Sequence, residues 1–85
     1  MGELSKLPNI GPGVESQLNA VDIFTYDQLK ETGSHNAWLR IQSIDPSACI
    51  HRLMALEGAI RLIPKAQLPP EIKAELKAFY TAHKL

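Results

Sequence analysis

Eighty-five residues make one domain, with room for a single core and none for a deep cleft beside it. At 45% apolar and 21% charged residues the composition is that of a folded globule, which excludes a chain disordered through its body. The formal charge is zero, which argues against a strong phosphate-driven binder. The halves nonetheless differ: two Lys against five Asp or Glu give −3 over residues 1–39, and seven Lys or Arg against four Asp or Glu give +3 over residues 40–85.

In chain order, the pattern predicts an all-α compact bundle of five or six short helices, filling residues 1–85 as a single domain. Leu4 and Leu7 lie one turn apart in a first short helix that Pro8 closes. The break Asn9-Ile10-Gly11-Pro12-Gly13 follows, with Pro12 suited to the first position of a second helix, where its missing N–H costs nothing. That helix places Val14, Leu18 and Val21 on one face, and the hairpin unit covers about 4–22. In Phe24-Thr25-Tyr26-Asp27-Gln28-Leu29, Thr25 and Gln28 form a capping box and Phe24 is positioned to staple onto Leu29. Gly33 stops this third helix, and Ser34 is placed to cap a fourth carrying Ala37, Trp38 and Ile41. Asp45-Pro46 starts the core helix, about 46–63, whose apolar stripe is Cys49, Leu53, Leu56, Ile60 and Ile63. Gly58 within it implies a second helix packed close by. After Pro64 and the rigid Leu68-Pro69-Pro70 entry, a last helix over about 69–82 lines up Ile72, Leu76 and Phe79.

Chemistry finds little to work with. His35, His51 and His83 are too dispersed to share a metal, and Cys49 and His51, two residues apart on a helix, point in nearly opposite directions. Cys49 on an apolar stripe is an inert small hydrophobe, and Glu71 with Glu75 reads as a solvated helix face. Phe24, Trp38 and Phe79 read as core rather than as a stacking platform. The expectation is a non-enzyme with no cofactor, no metal and no small-molecule substrate. A single cysteine closes no internal disulfide, the start Met1-Gly2-Glu3-Leu4 is no secretory leader, and Lys6 stands where an acylation motif wants Ser or Thr. No apolar run approaches the ~18–20 residues that span a bilayer. The cytoplasm is therefore the expected compartment, and no membrane partner is expected.

Residues 4–18 resemble a helix-hairpin-helix, with Ile10-Gly11-Pro12-Gly13 as the hairpin. Such a turn lets the backbone approach a phosphate while the first N–H groups of the next helix face it. The charge fits less well than the shape, because Val14 and Glu15 follow the hairpin where Lys or Arg serves a DNA clamp. Further blocks extend the likeness: Leu7-Pro8-Asn9-Ile10-Gly11-Pro12, Val21 to Leu29, Leu53-Met54-Ala55-Leu56-Glu57-Gly58-Ala59-Ile60-Arg61, and Leu68-Pro69. In this order and spacing they resemble the C-terminal domain of the TfoX/Sxy bacterial competence regulators, over about residues 4–82. The resemblance implies a helical domain from regulators of DNA uptake, in which another domain precedes this one; the chain reads as a stand-alone version or a piece of such a protein.

Two kinds of partner follow. A protein partner (the transcription machinery or a second copy) suits the zero charge and the charge split. DNA would instead be met by Lys6, Ile10, Gly11, Gly13 and Val14 at the hairpin, and by Arg61, Lys65, Lys73 and Lys77 from the basic half.

Overall fold

The first element is a 3-10 turn over Leu4–Lys6, closed where Leu7 turns extended ahead of Pro8. In the computed structural model, which describes residues 3–85, four α-helices follow: α1 Pro12–Ala20, α2 Tyr26–Ile44, α3 Ile50–Arg61 and α4 Pro70–His83. A second 3-10 turn, Lys65–Gln67, lies between α3 and α4. No strand occurs among the described residues, and the fold is all-α.

The capping box holds as expected. Thr25 Oγ1 accepts from the Gln28 N–H at 3.1 Å, and Gln28 Oε1 accepts from the Thr25 N–H at 3.3 Å and from the Phe24 N–H at 2.7 Å. Gly33 leaves the helical region, with φ 83° and ψ 157°, so α2 is two helical arms that meet at a kink where the sequence pattern set the break. Ser34 does not cap the second arm; its hydroxyl donates to Glu57 Oε1 on α3 at 2.6 Å.

The core helix is shorter than the sequence pattern suggested. Asp45 closes α2, its N–H donating to the Ile41 carbonyl, and its side chain holds the Ser47 N–H and hydroxyl in a tight turn. The start of α3 therefore moves from Pro46 to Ile50, with Cys49 at the N-cap instead of within an apolar stripe. At the other end Leu62 takes the left-handed conformation (φ 63°), the Leu62 N–H donates to the Ala59 carbonyl and the Ile63 N–H to the Gly58 carbonyl. This is the Schellman arrangement, and it ends the helix before Pro64 is reached. α1 ends likewise, with Asp22 left-handed and the Ile23 N–H on the Leu18 carbonyl.

Leu4, Leu18, Ile23, Leu29, Trp38, Ile41, Leu53, Leu56 and Leu76 are wholly buried, so every helix sends at least one large side chain into the common core. Each such burial is worth about 1.5–3 kcal/mol. Trp38 sits at the centre, its indole N–H donating to the Cys49 carbonyl at 3.1 Å, with Phe79 and Tyr80 of α4 edge-on to its ring. Phe24 departs from its expected core position: it is 50% exposed, and Ile23 beside it is buried instead.

Candidate functional site

The hairpin is held by its side chains more than by its glycines. Asn9, not a glycine, adopts the left-handed conformation (φ 69°), and the Ile10 N–H returns to the Leu7 carbonyl at 3.3 Å. Ile10 is buried, which anchors the turn to the core. Gly11 and Gly13 have negative φ and open space where a Cβ would stand, so neither packing nor backbone geometry demands glycine there. Gly11 caps α1 without a side-chain hydrogen bond, and Pro12 follows at the first helical position.

Glu15 turns away from the surface. It is 5% exposed, and its Oε2 accepts from the Ser5 N–H at 3.1 Å, joining the first 3-10 turn to α1. The carboxylate that the sequence set against a phosphate is thus a tie inside the fold. Asn9 makes the second tie: its Nδ2 donates to the Ile63 carbonyl and its Oδ1 accepts from the Lys65 N–H, both at 3.0 Å. These bonds place the hairpin beside the loop that leaves α3. They also explain Gly58, where a Cβ would come within 2.5 Å of Asn9 Nδ2 and 2.8 Å of the Ile63 carbonyl oxygen. What crowds Gly58 is this side chain and the helix's own exit loop, not the second helix the sequence suggested.

The predicted basic residues fall into distinct surroundings. Lys65 is exposed next to the hairpin through the Asn9 bond. Lys73 reaches back from α4, its Nζ donating to the Ala66 carbonyl at 3.1 Å, so it approaches the same turn. Lys77 is exposed one helical turn further along α4, and Lys6 is exposed at the end of the first 3-10 turn. Arg61 is engaged: its Nε donates to Glu57 Oε2 at 2.5 Å. Burial would raise the Glu57 carboxyl, but the hydroxyl of Ser34 and the guanidinium of Arg61, with His35 nearby, outweigh it and hold the group below its ordinary value. Val14 is half-buried against the core.

The loops at this end carry features with no local signal in the sequence. The Tyr26 hydroxyl donates to the Ile60 carbonyl at 2.7 Å, and the Tyr26 N–H donates to Glu3 Oε2 at 2.8 Å. Lys30 Nζ lies 5.1 Å from the centre of the Tyr26 ring, in cation–π range. The start of α2 and the end of α3 are therefore neighbours. Beside them stand Phe24, 50% exposed, and Leu62, 56% exposed. The Schellman exit that lifts Leu62 outward lacks the usual glycine, which is why the sequence pattern ran α3 on to Ile63. Among the described residues there is no pocket, no gathering of three metal-ligating side chains and no helix long and apolar enough to cross a membrane.

The family model for the TfoX C-terminal domain matches residues 1–80. Two crystal structures of proteins from Listeria monocytogenes, one titled an uncharacterized protein (triclinic form) and one a protein of unknown function (tetragonal form), superpose with a TM-score of 0.92 at 44% identity. The alignments cover 93% of this chain and 90% of the first, and 94% of this chain and 98% of the second. No curated protein sequence matches the chain.

Proposed function

This chain belongs to the TfoX C-terminal domain family, and on that footing we propose that it is a non-enzymatic interaction module of competence-regulator type that docks a protein partner in the cytoplasm. The observation that carries this reading is Leu62. It stands 56% exposed in a left-handed conformation that costs an L-residue about 1–2 kcal/mol, at a position where glycine would cost nothing. A strained, exposed leucine gives the isolated domain little in return, whereas a protein surface laid over it gains its burial. The zero net charge supports the same reading.

Photo-crosslinking in cells tests it, with a benzophenone side chain placed at position 24 or 62 and at exposed Ala78 as a control. Protein adducts from positions 24 and 62 but not from 78 support docking. Nucleic-acid adducts alone, or equal labelling from all three positions, would sink it.

A second reading, contact with a DNA backbone through the hairpin, is favoured by the inward turn of Glu15. That turn leaves Gly11 and Gly13 beside open space and the α1 N-terminus without a side-chain cap, close to Lys65. Here Lys6 and the backbone of Gly11, Gly13 and Val14 would form the contact, with Lys65, Lys73, Lys77 and Arg61 flanking it, whereas Ile10, expected to join them, is buried with its N–H on the Leu7 carbonyl. NMR titration with duplex DNA at low and moderate salt decides this reading. Salt-sensitive shifts at Gly11, Gly13 and Lys65 that shrink in Lys65→Ala favour it, and a flat titration at low salt removes it.

A further inference from the structure

We propose that the end of the molecule formed by the start of α2 and the exit of α3 pairs with a second copy of this chain, across a two-fold axis. The inference rests on the protein-docking reading and names its partner.

Two of the exposed large apolar side chains, Phe24 and Leu62, belong to neighbouring loops. The Tyr26–Ile60 hydrogen bond ties the loops together, and Phe24 is two residues from one partner of that bond while Leu62 is two residues from the other. Their charged surroundings have opposite sign. Phe24 is followed by Asp27 and Glu31, both exposed on successive turns of α2, and is preceded by exposed Asp22. Lys30, the cation among them, lies over the Tyr26 ring, and three carboxylates to one ammonium leave this side net acidic. Leu62 is flanked by Arg61, whose charge is paired with Glu57, and by exposed Lys65, so two cations against one anion leave this side with the net positive charge of Lys65.

An apolar residue with an acidic border next to an apolar residue with a basic border is a surface complementary to itself. Under a two-fold rotation the Phe24 region of one copy meets the Leu62 region of the other, and the exchange occurs twice. A partner with only an acidic or only a basic face would satisfy one half of this surface and repel the other. The strain at Leu62 points the same way, because burial across the pair gives that side chain the environment it lacks in the monomer.

Sedimentation equilibrium over a concentration series tests the proposal. The expected mass rises from 9.4 kDa toward twice that value as concentration increases. Leu62→Gly and Phe24→Ser remain at monomer mass. At low protein concentration, where neither chain pairs, Leu62→Gly also melts at a higher temperature than the wild type, so its loss of pairing is not misfolding. Asp27→Lys and Lys65→Glu each weaken association, since each homodimer sets like charges together at both symmetric contacts. Mixed one to one they recover it, because both contacts of the mixed pair are then of opposite charge. A wild type that stays monomeric throughout, a Leu62→Gly variant that still pairs, or a mixture no better than its components overturns the proposal. A monomeric wild type whose position 24 crosslinks to a different polypeptide in cells overturns self-pairing alone and leaves the docking reading standing.

Discussion

At Glu15 a single buried carboxylate decides how the hairpin is read. As a string of letters, Glu15 is an acid directly after the turn; in the fold it is a structural acceptor for the Ser5 N–H. Its replacement by Leu, which has similar bulk and no acceptor, leaves that N–H without its carboxylate. The cost is expected at about 1–3 kcal/mol of stability, read from urea unfolding. A variant as stable as the wild type would show that the tie contributes nothing. Leu62 predicts the opposite sign. Glycine there relieves a left-handed L-residue but enlarges the freedom of the unfolded chain, so the net gain is about 0.5–1 kcal/mol. In a domain of this size that raises the melting temperature by a few degrees, about 4–8 °C per kcal/mol. The measurement belongs at low protein concentration, where pairing does not add to the wild type's stability. No gain would mean that Leu62 already recovers its strain within the monomer.

Two glycines act at the scale of the helices, for opposite reasons. Gly33 has open space around it but a backbone conformation (φ 83°, ψ 157°) that is almost confined to glycine. Gly58 has no unusual conformation but no room, with Asn9 and Ile63 against it. Alanine is the better helix former, by about 1 kcal/mol, yet Gly33→Ala and Gly58→Ala are both expected to lose stability, by about 1–3 kcal/mol each. Asn9→Gly should recover part of the Gly58→Ala loss, since it removes the nearer clash and leaves the Ile63 carbonyl. Additive losses in the double variant would show that Asn9 is not what excludes a side chain at position 58. The same contrast explains what was legible beforehand. Gly33 carries its message locally, and the break between the two arms of α2 could be read from it. Gly58 serves a residue 49 positions earlier, so no window of sequence contains its reason. Asp45-Pro46 is a good helix opening by rule, yet α3 begins at Ile50, because the Asp45 oxygens are taken by Ser47 and Gln17.

Over the whole molecule, periodicity revealed the all-α class and most of the core, since burial follows helical spacing at Leu18, Leu53, Leu56 and Leu76. The candidate surface was less legible, because exposure is a property of the assembled loops. Phe24 and Leu62 have core chemistry, and only the placement of Ile23 and the left-handed turn after α3 leave them outside. Two carboxylates join distant elements and give the assembled molecule an acid limit. Asp45 is held by the Ser47 hydroxyl first, then by the Gln17 amide and the Ser47 N–H, with Arg52 adding its charge; these outweigh burial and lower its pKa. Through Gln17 and Arg52 it links α1, the end of α2 and α3. Glu57, lowered against its burial by Ser34 and Arg61, links α2 to α3. For both groups the folded pKa lies below the unfolded value, so folding favours the ionised form. The stability they supply is complete above their ordinary values, 3.8 for Asp45 and 4.5 for Glu57, and is lost as pH falls through the lower folded values. Urea midpoints measured from pH 7 down to 2 should therefore hold steady to about pH 5 and then fall. Asp45→Asn and Glu57→Gln should each begin less stable at pH 7 and show a shallower fall, their curves converging on the wild type in acid. Parallel curves across the whole range would mean that the acid limit is set by other carboxylates and that these two links do not hold the helices together.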